Sequence, residues 1–316
     1  MPRLLVLFLD GVGLGDEDAV RNPFVSASMP ALAALLEGRR LTRSASPFEG
    51  ARATLLALDP CLGVDGAPQS ASGQAAILTG RNVPAEIGGH YGPKPNPPIA
   101  EILRHDSLFH RVLARGGTAA LLNAYPPRYF HAIHSRRRLY SAIPLAASAA
   151  GLSLKTAEDL QKGEALSADF TGEGWAAQPG FPPAPVLTPA AAGHSLARLS
   201  AGYDLTWFDY WLTDYAGHRG ALRAAVDLLH AFDGVLGGLV ESWADRQDLI
   251  LLTSDHGNLE DLGVRGHTRN PVPALLIGPA ILRQRFASGL TDLTHIAPAV
   301  MRLLFSQDPS EERGDR

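Results

Sequence analysis

Six acidic or imidazole side chains and one serine stand where apolar segments give way to loops. Asp10 closes the run Leu4–Leu9 just before Gly-Val-Gly-Leu-Gly. Asp214 and His218 lie four apart in TDYAGHRG, directly after the apolar segment Leu205–Leu212. Asp255 and His256 are adjacent in LLTSDHGN, and His267 follows eleven residues later in RGHTRNPVPALLIG. Carboxylates and neutral imidazoles suit borderline divalent cations such as zinc and manganese. Ser70, in PQSASGQAAILTGR, stands at the mouth of a helix expected over Ser72–Thr79. The N-terminal end of a helix attracts phosphate, and a serine hydroxyl beside a dication ionises more readily.

Taken singly, each of these residues has a plainer structural explanation. Asp10 and Asp255 can cap turns, Ser70 can cap a helix, and Asp214 with His218 can form a helix-surface pair. A lone loop histidine such as His267 is commonly structural. Together they balance electrically. Three carboxylates (Asp10, Asp214, Asp255) and three neutral histidines carry −3, two dications bring the total to +1, and a Ser70 alkoxide returns it to zero. Without cations, three buried acids in one pocket repel one another.

The elements that must position these residues read as alternating strands and helices. Leu4–Leu9, Asp248–Thr253 and Val272–Ile277 are short apolar runs bounded by Gly, Pro or Asp, as buried strands are. Thr118–Leu122 and Leu205–Leu212 are further strand candidates. Helical spacing of apolar residues runs through Gly220–Trp243, Thr291–Phe305 and Ser107–Gly117. This pattern predicts an α/β fold around a mostly parallel sheet, with ligands gathered at the carboxyl ends of the strands. Residues 125–157 carry Arg128, Arg136, Arg137, Arg138 and Lys155 without a single acid, whereas 158–173 carry five acids and one lysine. That double shift marks an insertion. The expected division is a core of 1–124 and 188–316, an inserted cap of 125–187, and a solvated tail over 306–316. Arg128, Arg136, Arg137, Arg138 and Lys94 are candidate substrate clamps, although a run of three arginines also suits a solvated face.

Composition bounds the rest. The chain has 316 residues, 46% of them hydrophobic, and a net charge of −4. That is ample for a packed interior, and it argues against a nucleic-acid partner, which selects a basic excess. No apolar run has the length of a membrane span, and the first residues lack the pattern of a signal peptide. One cysteine, Cys61, fits a reducing compartment, so the expectation is a cytoplasmic protein with neither membrane nor nucleic-acid partners.

The stretches LFLDGVG, QSASGQAAILTGR, TDYAGHRG, TSDHGN and HTRNPVP, in that order, resemble the alkaline phosphatase superfamily of binuclear metalloenzymes. Within it the chain is most similar to the branch of cofactor-independent phosphoglycerate mutase and phosphopentomutase. The resemblance implies a three-layer αβα core with a mostly parallel sheet and a small cap. It implies two divalent metal ions, manganese or zinc or magnesium, one held by Asp10, Ser70, Asp255 and His256, the other by Asp214, His218 and His267. Ser70 would be transiently phosphorylated during phosphoryl transfer on a small phosphorylated metabolite, as a phosphomutase or a phosphatase. Gln74 departs from the pattern, since both mutases carry histidine there. Two rivals predict otherwise: a non-catalytic metal- or phosphate-binding protein that retains the fold, and a nicotinamide- or ATP-binding α/β protein. The second needs a glycine loop feeding directly into a helix, which Asn22 and Pro23 oppose.

Overall fold

A computed structural model describes residues 2–244 and 246–305; the expected tail over 306–316 lies outside them. The described residues form nine strands: β1 (Leu4–Leu9), β2 (Phe48–Glu49), β3 (Ala53–Leu58), β4 (Ala119–Leu121), β5 (Ala124–Tyr125), β6 (Lys155–Thr156), β7 (Leu205–Tyr210), β8 (Leu249–Thr253) and β9 (Val272–Ile277). Seven form one sheet in the order β2-β3-β9-β8-β1-β7-β4. Strands β8, β1, β7 and β4 are mutually parallel, whereas β9, β3 and β2 extend the sheet with antiparallel pairings.

The continuous apolar run of β1 is explained by burial on both faces. Leu4, Val6 and Phe8 point into one hydrophobic cluster, and Leu5, Leu7 and Leu9 into the other. Burying each such side chain contributes ~1.5–3 kcal/mol relative to exposure. One face is covered by the helices Ser70–Thr79, Pro97–His105, Leu108–Ala114, Ala142–Ala149 and Ile296–Phe305. The opposite face is covered by Pro30–Leu35, Pro189–Ser200 and Leu222–Glu241. Three layers result.

Segment 125–187 is divided in its packing. Its helix Ala142–Ala149 joins the main core, with Ala142, Ile143 and Ala146 fully buried. Tyr129 and Leu154 join the same core, Leu166 and Phe170 join the core of the opposite face, and Ala157, Leu160, Ala165 and Trp175 form a small cluster beside the two-stranded β5–β6 sheet.

Strand order positions the chemistry. Because β8, β1 and β7 are parallel neighbours, Asp255, Asp10 and Asp214 all emerge at one end of the sheet. That end is where open α/β sheets collect ligands.

Helices Pro189–Ser200 and Leu222–Glu241 approach one another through glycine. A Cβ on Gly193 would lie 2.1 Å from the Val235 carbonyl oxygen, and one on Gly238 would lie 2.2 Å from that of Ala190. Both obstacles are backbone and cannot step aside. Gly238→Ala is therefore expected to cost about 1–3 kcal/mol, measured by urea unfolding; an unchanged midpoint would show that the helices have room to separate.

Candidate metal centre

Each candidate side chain is delivered by a specific local device. Asp10 follows β1, and its backbone N–H donates to the Tyr210 carbonyl at the end of β7 (3.3 Å). Thr213 Oγ1 donates to the carbonyls of Asp10 (2.6 Å) and Tyr210 (2.9 Å), fastening the two strand ends together. Gly11 then turns the chain with φ +69°, and any Cβ there would meet Asp214 Oδ1 at 2.7 Å. Only glycine serves both demands. Asp214 and His218 sit one turn apart on the helix Leu212–Arg219, with His218 Nε2 3.4 Å from Asp214 Oδ2. Asp255 and His256 follow β8 and are completely buried.

Ser70 opens the helix Ser70–Thr79, two residues earlier than the expected start. Its Oγ is 3.0 Å from His256 Nε2. That imidazole nitrogen is also 3.3 Å from Asp10 Oδ1 and 3.6 Å from Asp255 Oδ2. His267 stacks on His256 with ring centroids 3.7 Å apart, and its Nε2 lies 3.3 Å from His218 Nε2 and 3.7 Å from Asp214 Oδ1. The Pro68 carbonyl, 2.8 Å from His267 Nδ1, orients that ring by accepting a hydrogen bond. All seven residues therefore meet in one place. Five of them form two overlapping groups, Asp10–Asp255–His256 and Asp214–His256–His267, each with donor atoms within 4.8 Å, whereas His218 stands beside the second group without joining it. His256 belongs to both, so the side chains divide less sharply than the expected partition into two sets.

The electrostatics explain what this assembly lacks. Burial pushes the Asp255 carboxyl well above the usual carboxylate range, reinforced by Asp10 and opposed by His256. Asp214 is raised by burial and then by Asp10. Burial disfavours a charged His256, yet Asp255, Asp10 and Asp214 outweigh it and push the ring up to about 10. His267 is pulled down to about 4 by burial and by the neighbouring His256. The pocket is short of positive charge and draws it from protons. Asp10 Oδ1 and Asp255 Oδ1 have no hydrogen-bond partner despite being buried. Orphaned carboxylate oxygens beside imidazole nitrogens fit divalent cations, which supply the missing charge and coordination.

Several supporting residues were not singled out from sequence. Glu260, almost wholly buried, accepts from the Gly13 N–H (2.9 Å), the Asn258 N–H (2.8 Å), Asn270 Nδ2 (2.9 Å) and the Thr268 hydroxyl. One carboxylate thus fixes the loops carrying Asp10, His256 and His267. Asn258 Nδ2 donates to Asp214 Oδ1 at 2.6 Å. Gln74, the departure noted above, donates to Asp255 Oδ2 (3.1 Å) and Asp10 Oδ2 (3.3 Å) and bridges the two acids. Asp209 interrupts the apolar strand β7, and its raised pKa comes from burial and from Asp10. An acid inside an apolar strand was the available signal.

The basic candidates lie apart from this cluster. Arg128 and Arg138 line a cleft of about 520 Å³ with Tyr125, Tyr129, Trp175 and Trp211. Lys94 Nζ donates to the Leu139 carbonyl at 2.8 Å, whereas Arg136 and Arg137 are solvent-exposed.

A family model described as the metalloenzyme superfamily matches residues 191–307, the segment holding Asp214, His218, Asp255, His256 and His267. The fold is similar to that of the PH0037 protein from Pyrococcus horikoshii, with TM-score 0.58 and 15% identity over 97% of this chain and 98% of that one. It is also similar to Leishmania mexicana phosphoglycerate mutase, with TM-score 0.50 and 13% identity over 98% and 96% of the two chains. The chain has an α/β fold of the alkaline phosphatase type, and its segment 191–307 is similar to the metalloenzyme superfamily. In sequence, the chain is 35% identical over 134 residues to the 2,3-bisphosphoglycerate-independent phosphoglycerate mutase of Cereibacter sphaeroides, covering 40% of this chain and 26% of the relative. The corresponding enzyme of Desulforudis audaxviator is 35% identical over 118 residues, covering 35% and 23%. The chain thus spans about a quarter of the length of the curated relatives it matches.

A cation deficit of this kind predicts a pH-dependent response to metal. The raised Asp255 and Asp214 pKa values stabilise the stripped fold fully below about pH 4, and that contribution is lost as pH rises through the folded-state values. Manganese should therefore raise the melting temperature of chelator-treated protein most at neutral pH and least near pH 5. The gain should reach about 3 kcal/mol at a hundred times Kd. A melting temperature indifferent to manganese at pH 7.5 would contradict the electrostatic account.

Proposed function

We propose that this chain is a binuclear-metal-dependent phosphoryl-transfer enzyme acting through a phosphoserine at Ser70 on a small phosphorylated metabolite. Asp10, Ser70, Asp255 and His256 hold one divalent cation in this reading, and Asp214, His218 and His267 hold the other. Manganese or zinc suits the mixed oxygen and nitrogen donors, with magnesium a poorer match. The observation that carries the proposal is the position of Ser70 Oγ, 3.0 Å from His256 Nε2 and at the start of a ten-residue helix. A structural serine needs no place inside a metal cluster.

When bound, the cations lower the pKa of the Ser70 hydroxyl and offset charge on the phosphoryl oxygens. The serine proton leaves to solvent, and Ser70 Oγ forms a bond to phosphorus as the ester P–O bond breaks. The electron pair departs with the alcohol oxygen, which takes a proton from solvent. An acceptor oxygen then attacks phosphorus and releases Ser70. Water as acceptor makes the enzyme a phosphohydrolase; a second hydroxyl of the same substrate makes it a phosphomutase. Gln74 keeps Asp10 and Asp255 in register throughout, and the parts of segment 125–187 outside the helix Ala142–Ala149 serve as the cap over the substrate. A cytoplasmic setting accords with the lone, buried Cys61.

Ser70→Ala should reduce manganese-dependent hydrolysis of an aryl phosphate by about 10³-fold or more while manganese still binds in equilibrium dialysis. Intact-protein mass spectrometry after rapid acid quench should find one added phosphoryl group in the wild type and none in the variant. Equal turnover in the two proteins would remove Ser70 from the mechanism.

A further inference from the structure

The cleft at the end of β7 carries a combination of side chains that the transfer chemistry itself does not use. Tyr125, Tyr129, Trp175, Phe181 and Trp211 line it, and they come from the start, middle and end of segment 125–187 and from the end of β7. Tyr125 and Tyr129 are stacked with centroids 4.4 Å apart, and Trp175 meets Phe181 edge-on at 4.7 Å. Two guanidinium groups sit on these rings: Arg128 is 4.2 Å from the centroid of Phe181, and Arg138 is 5.1 Å from that of Tyr129. Neither arginine makes an ion pair with an acid among the described residues. Trp211 is 45% exposed, an unusual position for the largest apolar side chain unless a ligand covers it.

Position ties the cleft to the centre. Trp211 stands three residues before Asp214. Asn123, on the cleft wall, exchanges hydrogen bonds with the Asp209 backbone, donating to its carbonyl and accepting from its N–H, both at 2.8 Å. Asp10 acts electrostatically on the buried Asp209 carboxyl, which in turn acts on Tyr125 and Tyr129 of the cleft wall.

The chemistry of the walls selects the ligand. Sugar hydroxyls call for carboxylate or amide side chains with free hydrogen-bonding capacity. Here the wall amide, Asn123, is already committed to Asp209 at both ends, and no carboxylate lines this cleft. Flat aromatic faces with arginines resting on them instead suit a planar ring that carries negative charge.

We propose that the cleft holds the alcohol half of the substrate, and that this half carries a flat aromatic ring, making the substrate a phosphate monoester of the aryl or nucleoside type. The inference takes the ligand's phosphate from the phosphoryl-transfer reading above, but its ring selectivity is readable without turnover.

The test uses full-length Ser70→Ala protein with manganese and follows tryptophan fluorescence during titration with adenosine 5′-monophosphate, ribose 5-phosphate or inorganic phosphate. Adenosine monophosphate should bind about tenfold more tightly than ribose 5-phosphate, the increment that stacking one base supplies. Trp211→Ala should weaken the nucleotide more than the sugar phosphate, and Trp211→Phe should restore most of the difference. Trp211 is half exposed, so its removal leaves the core intact; a circular-dichroism melt checks this. Calorimetric titration of the Trp211 variants provides a readout independent of the lost fluorophore. Equal affinities for nucleotide and sugar phosphate, or a Trp211→Ala protein with undiminished ring preference, would overturn the inference. In the first case, Ser70-dependent release of phosphate from small esters would still leave the phosphoryl-transfer reading standing. Ring-selective binding in a protein whose wild type transfers no phosphoryl group would uphold the cleft and remove the enzyme reading.

Discussion

Three carboxylates crowded at one end of a sheet are the constraint on which the rest of the molecule depends. Asp255, Asp10 and Asp214 arrive there because β8, β1 and β7 are adjacent and parallel. Their mutual repulsion in a dry pocket is expensive, and no basic side chain of the cluster other than histidine offsets it. The fold accepts this cost at the site where it can be turned to use. Protons drawn onto Asp255 and His256 are the stopgap, and a divalent cation is the better partner because it neutralises charge and satisfies the orphaned oxygens together.

Holding such a cluster in place requires a rigid frame behind it. Glu260 supplies much of that frame by accepting four hydrogen bonds, one from the loop after β1 and three from the connection between β8 and β9. Asn258 and Gln74 do the corresponding work at closer range, each donating to an acid of the centre. Their amide groups fix carboxylate orientation without adding charge. The hydrogen bonds of Thr213 to both strand ends lock β1 against β7 at the point where Asp10 and Asp214 diverge.

Much of this was legible in the sequence, and the reasons are local. Leu4–Leu9 announces a strand buried on both faces, and Ser107 and the double glycine Gly116–Gly117 bracket a helix over Leu108–Ala114. Each candidate of the centre follows an apolar strand, precedes one or begins a helix, which is why position and residue type pointed the same way. The antiparallel side of the sheet was less visible. Ala53–Leu58 consists of alanine, threonine and leucine, a composition that suits helix as well as strand, and only pairing with β9 decides it. The packing of segment 125–187 was hidden too, because its charge pattern does not reveal that Ala142–Ala149 packs in the main core. Glu260 carries no local signal, since its donors include a residue as distant as Gly13.

The central claim is that these side chains form one shared dication site. It is tested most directly by counting bound manganese per chain with elemental mass spectrometry after dialysis, in the wild type and in Asp255→Asn and His267→Ala. The account predicts about two ions in the wild type and a loss of at least one in each variant. A wild-type chain that retains no manganese, or variants that retain as much as the wild type, would contradict it.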